Sequence, residues 1–383
     1  MSRQQTRKIR TVAHGPRYTK LASTLPSIVP FVGPEAQERK SQREFSARLG
    51  ANENVFGPSP KVIRAMEKAT SDIWMYGDPE CHELKAAIAR HHGVSTDNVV
   101  VGEGIDALLG YLVRLTVAEN DPVVTSDGAY PTFNFHVAGY GGNLVKVGYR
   151  PDDHEDPEHL IKSAEKTRAK LIYFANPDNP MGTWHSASVV QNMIESVPEG
   201  CLLVLDEAYV DTAPAGTAPA IDPNDPRVVR MRTFSKAYGM AGARVGYAIG
   251  QSDLIAAFDK VRNHFALNRA SQAGALAAIH DQKYLSEVVE RIERSRNLIS
   301  SIASENGLAA ITSATNFVAI DCGADQRFAQ AVLEELGDNG VFVRKPFVSP
   351  QDRCIRVSCG RDEDLEIFRR ELPKALNSAN AGA

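Results

Sequence analysis

A lysine, a serine and an arginine lie close together in the stretch TFSKAYGMAGARVGY, which spans residues 233–247. Lys236 follows Ser235 directly, and Arg244 comes eight residues after the lysine, with glycines between them. A lysine amine is a nucleophile toward carbonyl carbons when it is partly desolvated or held as an imine. Serine and arginine side chains beside it are suited to an anion such as phosphate. This stretch alone leaves open whether Lys236 is a solvated surface lysine or a reactive amine, and the rest of the sequence decides between the two.

Polar residues follow several apolar runs of the sequence, where the strands of a parallel sheet would end. In such sheets ligands bind beyond the carboxyl ends of the strands. We therefore expect one pocket to be lined by four stretches, at 102–106, 176–179, 206–209 and 233–247.

The residue types in these stretches together match the requirements of pyridoxal 5′-phosphate (PLP). This cofactor needs a lysine for its aldehyde and an acidic partner for its pyridine nitrogen. Lys236 and Asp206 are suited to these two tasks, because a carboxylate keeps the ring nitrogen protonated and the ring then accepts the electrons of a carbanion. Tyr209 and Asn179 are suited to form hydrogen bonds with the phenolic oxygen of the cofactor. Each residue alone also fits a turn, a cap or a solvated surface, and the prediction rests on the set.

Phosphate binding is predicted at the start of the helix that follows the sequence GEGID. A helix N-terminus offers free N–H groups and the positive end of a dipole. The predicted phosphate ligands are Ser235, Arg244 and the backbone amides of Ile105 and Asp106, which follow Gly104.

The elements that must position these residues are short apolar runs alternating with helical patterns such as 80–92 and 105–119. This alternation predicts an α/β fold with a mostly parallel sheet covered by helices on both faces. The predicted strands are 98–102, 121–126, 170–175, 201–206, 227–232 and 244–249.

From about residue 250 the pattern changes to that of a smaller α+β unit. A helical stretch over roughly 270–305 is followed by predicted strands at 315–320, 340–345 and 353–358. The predicted parts of the chain are an N-terminal arm (1–45), a large domain (46–265) and a small domain (266–383). We expect part of the N-terminal segment to complete the small domain.

The composition is that of an ordinary folded protein. Of its 383 residues, 43% are hydrophobic and 23% are charged, and the net charge of −4 gives no overall attraction to nucleic acid. Five cysteines without a CxxC pair predict reduced thiols in a cytoplasmic protein, with no disulfide framework and no metal site. No apolar run approaches the roughly 18 residues that span a bilayer, so we expect no membrane partner.

The basic start, MSRQQTRKIR, is not followed by the apolar core of a secretory signal. We interpret it as a solvated, frayed terminus, and an organellar transit peptide is the alternative.

Three motifs resemble the signatures of fold type I PLP-dependent aminotransferases of classes I and II. They are NPDNPMG (176–182), DEAY (206–209) and SKAYGMAGARVGY (235–247). The similarity is greatest to the histidinol-phosphate aminotransferases and covers about residues 45–375. The stretches that extend it are 50–60, 75–94 and 353–360. The resemblance implies a large PLP domain, a small domain that closes on it, and a homodimer.

The resemblance also implies individual roles. Lys236 would hold the cofactor as an aldimine, while Asp206 and Tyr209 contact its ring nitrogen and phenolic oxygen. Phe133 would stack on the cofactor ring. Tyr76 would reach the phosphate of the partner subunit's cofactor.

For the substrate, the resemblance implies that Arg356 holds an acidic group, and Arg344, at the end of a neighbouring strand, is expected to assist. Asn54 and Phe31 are also assigned to the substrate site. Phe31 stands where some histidinol-phosphate enzymes have a tyrosine, which leaves room for an aromatic donor. Two further departures from the family pattern are Met181 for threonine and Ile105 for a hydroxyl residue.

The activity implied is ping-pong transfer of an amino group through the Lys236 aldimine, as in amino-acid biosynthesis. The donor would be histidinol phosphate or an aromatic amino acid, and the acceptor a 2-oxo acid such as 2-oxoglutarate. A PLP-dependent decarboxylase of the same fold, acting on phosphothreonine-type substrates, is the alternative. A non-catalytic PLP-binding regulator is disfavoured, because 45 residues are too few for an added DNA-binding domain.

Overall fold

The structure, a computed structural model, describes residues 16–27 and 32–381. Phe31 and the basic start of the chain lie outside the described residues. The strands are β1 (Ala47–Arg48), β2 (Val99–Gly102), β3 (Pro122–Ser126), β4 (Asn143–Val147), β5 (Leu171–Ala175), β6 (Leu202–Asp206), β7 (Val228–Thr233), β8 (Gly246–Ile249), β9 (Ala309–Ala310), β10 (Phe317–Asp321), β11 (Val341–Phe342) and β12 (Cys354–Ser358).

The helices alternate with these strands through the first two thirds of the chain. They are α1 (Lys20–Thr24), α2 (Pro34–Ser41), α3 (Pro60–Thr70), α4 (His82–His92), α5 (Ile105–Thr116), α6 (Pro131–Gly139), α7 (Pro157–Thr167), α8 (Ala187–Glu195), α9 (Ser252–Ala257), α10 (Arg269–Ile279), α11 (Gln282–Glu305), α12 (Gln326–Asp338) and α13 (Asp362–Ala381). Among residues 16–27 and 32–381, none of these helices has the length and apolar character needed to cross a membrane.

A seven-stranded sheet with the order β2-β8-β7-β6-β5-β3-β4 forms the larger part of the molecule. Its strands pair in parallel except for β8, which is antiparallel to both neighbours. The central strands β5 and β6 are buried along their whole length, because helices cover both faces of the sheet. The predicted fold class is confirmed.

The edge strand β4 is absent from the sequence-based prediction. Its residues are mostly half-exposed or exposed, and it pairs only with β3 in this sheet. An edge strand with one solvated side lacks the continuous apolar run by which the buried strands are recognised.

The predicted helical stretch over 270–305 is two helices, α10 and α11, separated at His280 and Asp281. Asp281 is ion-paired with Lys61 of α3 at 2.8 Å, and α10 packs on α3 and α4. The structure therefore groups α10 with the helices of the large sheet, on the other side of the boundary predicted at residue 266.

The smaller unit is built on the antiparallel sheet β12-β10-β9, covered by α11, α12 and α13. Strand β1 pairs in parallel with β11, aligning Ala47 with Val341. Leu49, just after β1, is fully buried in the hydrophobic core of this unit. The segment that follows the N-terminal arm is therefore part of this unit and leads directly into the cavity described next.

Candidate active site

A cavity of about 390 Å³ opens at the carboxyl ends of the central strands, facing the smaller unit. Its size is within the usual range for small-molecule sites. Its walls bring together most of the residues predicted from the motifs, namely Lys236, Asp206, Tyr209, Asn179, Ser235, Arg244, Ile105, Asp106, Arg344 and Arg356.

Asp206 is the last residue of β6 and lies buried at the floor of the cavity. Its carboxylate accepts a hydrogen bond of 2.6 Å from the Tyr173 hydroxyl and one of 2.9 Å from the amide of Ala208. Burial raises the pKa of Asp206 to about 6, and the Tyr173 hydrogen bond opposes that rise. Above this pH the group is a fixed anion, suited to partner a protonated ring nitrogen.

Lys236 lies in the loop after β7, beside the phenol of Tyr209. Its amine donates a hydrogen bond of 3.2 Å to the backbone oxygen of Asn52 and lies 5.4 Å from the centroid of the Tyr209 ring. The Tyr209 hydroxyl in turn accepts hydrogen bonds from the side-chain amides of Asn52 (3.1 Å) and Asn179 (3.5 Å). A primary amine and a phenol therefore face the same space.

The start of α5 forms a cradle that fits a phosphate group. Gly104 precedes the helix with φ = +82°, and a Cβ atom there would lie 2.6 Å from Nη2 of Arg244. The helix has no side-chain cap, which leaves the first amides, at Ile105 and Asp106, available to an anion. Arg244 Nη1 lies 3.5 Å from the Ser235 hydroxyl. With the carboxylate of Asp206 and the amine of Lys236, this donor set fits PLP.

The prediction that Phe133 stacks on the cofactor is wrong in this structure. Phe133 is fully buried in the core under α6, where its ring stacks on Tyr173 with the centroids 4.7 Å apart. Tyr130, at the N-terminus of α6, lines the cavity instead and donates a hydrogen bond of 2.8 Å to Asp106. The two positions are about one helical turn apart, and Tyr130, the residue just before α6, is the one on the cavity side.

Two arginines form the opposite wall of the cavity. Arg344 and Arg356 exchange backbone hydrogen bonds of 3.2 and 2.6 Å across an antiparallel bridge. Arg356 Nη1 donates to Asn179 Oδ1 at 2.6 Å, whereas its buried Nε has no hydrogen-bond partner among the described residues. Burial lowers the pKa of Arg356 to about 10, so the group remains a cation at neutral pH. A partly buried cation with an unused, buried donor atom favours an anionic ligand.

The predicted substrate role of Asn54 does not fit its position. Its amide donates to the backbone oxygen of Ala237 (2.9 Å) and its Oδ1 accepts from the amide of Phe56 (3.0 Å), so it holds a loop next to the cavity. Asn52, two residues earlier, lines the cavity.

Tyr76 is not part of this chain's own cavity. Its side chain is 76% exposed and packs against Phe265, with 5.0 Å between the ring centroids. Such a position leaves the ring free to reach a neighbouring subunit.

The cavity residues that are absent from the sequence-based assignment include Asn52, Tyr130, Tyr173 and Phe347. Tyr173 carried a signal, since a hydroxyl within the apolar run KLIYFA needs a buried partner. In the described parts of the chain, no cluster of histidine, cysteine, aspartate or glutamate side chains is arranged to hold a metal ion.

Comparisons with known sequences find one family of relatives over most of the chain. The profile of the family described as aminotransferase class I and II matches residues 47–372. A histidinol-phosphate aminotransferase from Moorella thermoacetica is 31% identical over 365 residues, covering 93% of this chain and 93% of that protein. Histidinol-phosphate aminotransferase 1 from Mesorhizobium japonicum is 32% identical, covering 86% of this chain and 90% of that protein.

Solved structures give the same result for the fold. The histidinol-phosphate aminotransferase of Sinorhizobium meliloti, determined in complex with PLP, superposes with a TM-score of 0.92 at 50% identity. The match covers 96% of this chain and 99% of that one. An aspartate aminotransferase of Thermus thermophilus, determined with maleate, has a TM-score of 0.76 at 24% identity and covers 89% of this chain and 94% of its own. That likeness concerns the fold alone.

Proposed function

The chain belongs to the class I and II aminotransferase family, and we propose that it uses PLP to transfer the amino group of histidinol phosphate to a 2-oxo acid such as 2-oxoglutarate. The family predicted from the three motifs is confirmed by the profile match and by relatives that cover nine tenths of the chain. The observation that carries the proposal is one cavity in which Lys236 and Asp206 face Arg344 and Arg356.

When bound, PLP supplies an electrophilic carbon for the donor's amine and a ring that accepts the electrons of the broken Cα–H bond. The Asp206 carboxylate is suited to hold the proton on the ring nitrogen, and Tyr173 keeps it in one orientation. The amine of Lys236 is suited to remove the proton from the substrate's Cα and would donate it to the cofactor carbon that carries the amino nitrogen. Tyr209 and Asn179, which are hydrogen-bonded to each other, are placed beside Lys236 and are suited to bind the cofactor's phenolic oxygen.

The phosphate of the donor is assigned to the two arginines. Arg344 donates to the backbone oxygen of Val32 at 2.7 Å and stands beside Arg356 on the cavity wall. Two convergent guanidinium groups favour a doubly charged anion over a single carboxylate. The identity of 50% to the Sinorhizobium meliloti enzyme supports the same donor.

An aromatic amino acid is the second candidate donor, favoured by one feature of the cavity. Phe347 lines its mouth with a 69% exposed ring, which offers an apolar surface to a donor's side chain. Transamination is preferred over decarboxylation because the relatives described above are named aminotransferases.

The working unit proposed is a homodimer in the cytoplasm. The exposed aromatic rings of Trp74, Tyr76 and Phe265 support a subunit contact. All five cysteines are free and buried, which supports a reducing compartment.

The test is a comparison of donors by single half-reactions in the wild type and in Arg344→Ala. We expect KM for histidinol phosphate to rise about tenfold or more, because a charge-assisted contact is lost, whereas phenylalanine and tyrosine change by less than about threefold. Arg327→Ala removes an exposed arginine of α12 and is the matched control.

Equal losses for phosphate-bearing and aromatic donors would contradict the phosphate assignment and favour the aromatic donor. Failure of every amino donor to convert the bound cofactor would contradict transamination itself.

A further inference from the structure

Two carboxyl groups lie buried together behind the wall of the cavity. Glu155 lies between β4 and α7, Asp178 lies in the loop after β5, and their side chains contact each other. The exposed fractions are 1% for Glu155 and 2% for Asp178. None of the motif-based roles uses either side chain.

The groups that anchor the pair directly are neutral. Glu155 accepts hydrogen bonds from the Ser126 hydroxyl (2.5 Å) and from the amide of Ala175 (3.0 Å). Asp178 accepts from the Tyr149 hydroxyl (2.9 Å) and from the amide of Met181 (2.8 Å). Two adjacent carboxylates that are buried together repel each other strongly, so ionisation of both is disfavoured.

A neighbouring cation indicates which carboxyl group holds the proton, because Arg356 faces Asp178 and favours the charged form of Asp178. Burial, together with the charge of Asp178, raises the pKa of Glu155 well above its usual range. Burial raises the pKa of Asp178 to about 7, opposed by its bonds to Met181 and Tyr149. Glu155 is therefore the acid that donates to Asp178, and Asp178 is the member that gains a charge near neutral pH. The other titratable groups that face the pair are Tyr149, Tyr173, His185, Asp127 and Arg356.

Asp178 is connected to the cavity through its neighbour in the chain. Asn179 accepts the 2.6 Å hydrogen bond from Arg356 and faces the hydroxyl of Tyr209. The charge of Asp178 also acts on the guanidinium of Arg356 itself. A change of charge on Asp178 therefore changes the electrostatic potential at Arg356, the residue assigned to the substrate's anionic group.

We propose that Glu155 and Asp178 share one proton and act as positioning residues behind Asn179, where their combined charge sets how strongly Arg356 binds an anionic substrate group. This inference rests on the proposed role of Arg356. Below neutral pH a second proton binds to Asp178, so the pair is neutral and Arg356 attracts the anion fully. When Asp178 ionises, its negative charge offsets part of that attraction.

The experiment measures the dissociation constant of maleate, a non-reactive dicarboxylate, between pH 6 and pH 8.5 on the PLP-loaded protein. Asp178→Asn removes the charge and keeps the shape, and Glu155→Gln mimics the neutral acid. We expect Asp178→Asn to bind maleate like the wild type at pH 6 and about fivefold more tightly at pH 8. Glu155→Gln should stay within about twofold of the wild type throughout.

A second readout is independent of substrate. At pH 8 the infrared spectrum of the wild type should contain the carbonyl band of a protonated carboxylic acid, and Glu155→Gln should lack it.

In the maleate experiment, a merely structural role of Asp178 would weaken binding by Asp178→Asn equally at pH 6 and at pH 8.

The variant Arg356→Lys distinguishes a failure of the proposed role of Arg356 from a failure of the shared proton. If this variant binds maleate as well as the wild type, the proposed role of Arg356 is wrong. If it binds weakly but the ratio between wild type and Asp178→Asn does not change with pH, or the infrared band persists in Glu155→Gln, the shared proton is overturned.

Discussion

The hydroxyl of Tyr173 and the carboxylate of Asp206 are 2.6 Å apart, on neighbouring strands of the central sheet. Burial alone disfavours the charged form of Asp206, and the hydrogen bond from Tyr173 favours it. Because the group works as an anion, the tyrosine extends the pH range over which it is charged.

Removing this hydrogen bond should move the acid limb of PLP binding to higher pH. In Tyr173→Phe the pKa of Asp206 in the cofactor-free protein rises above its present value of about 6, and we expect the acid limb of the PLP-affinity profile to shift upward by about one pH unit. Tyr111→Phe is the matched control, since Tyr111 donates to Glu103 at 2.7 Å away from the cavity. An unshifted limb would mean that Tyr173 does not tune Asp206.

The charge of Asp206 should reduce the stability of the cofactor-free protein at alkaline pH. Its folded pKa of about 6 lies above the ordinary value of 3.8, so its favourable contribution is complete below about pH 4 and is lost as the pH rises through 6. We expect cofactor-free Asp206→Asn to be more stable than the wild type at pH 8, by up to about 3 kcal/mol, with little difference at pH 4. Thermal unfolding measures this, and PLP titration should show weaker binding. Equal stability at pH 8 would contradict the raised pKa.

Gly104 should be required for phosphate binding more than for folding. Gly104→Ala strains a residue with φ = +82° and pushes a Cβ atom toward Arg244. Gly93→Ala provides the same kind of backbone strain, at φ = +67°, in a place where the added carbon meets nothing within 4 Å. Both variants should lose about 1 kcal/mol of stability, but only Gly104→Ala should weaken PLP affinity, by about tenfold or more. Similar PLP affinities would place the phosphate elsewhere.

How much the sequence predicts depends on what each position must satisfy. The buried strands and the polar residues at their carboxyl ends were predictable, because burial on both faces produces apolar runs and the motifs carry the ligands. Strand β4 was not, since its outer side is solvated. A second limit of the sequence is the exact position of a site residue. Phe133 and Asn54 were predicted to reach the ligand, but Tyr130 and Asn52, two or three positions earlier in the chain, line the cavity instead. Contacts between distant segments, such as Glu155 with Asp178, leave no local pattern.

Tyr130 and Phe133 should differ in what their replacement affects. Tyr130→Leu removes an aromatic ring from the cavity wall and a hydrogen bond to Asp106, so we expect PLP affinity to fall severalfold to tenfold with little loss of stability. Phe133→Leu leaves space in the core beside Tyr173, so we expect about 1–3 kcal/mol less stability and nearly unchanged PLP affinity. PLP titration and thermal unfolding of both variants measure the two effects. The reverse pattern would restore Phe133 as the stacking residue.

The proposed sharing of active sites across a dimer can be tested by mixing two defective subunits. Lys236→Ala lacks the reactive amine, and Tyr76→Ala lacks the exposed ring that packs on Phe265. In a mixed dimer, the subunit that carries Tyr76→Ala keeps its own Lys236 and receives Tyr76 of the partner subunit, so one complete site is restored. Random exchange of equal amounts makes about half of the dimers mixed, and we expect about a quarter of the wild-type activity to return. Mixing Lys236→Ala with Asp206→Asn is the control, because both residues line the same chain's cavity; its mixed dimers contain no complete site and should stay inactive. If Tyr76 served its own subunit's cavity, the first mixture would also stay inactive after subunit exchange, and the shared site would be wrong.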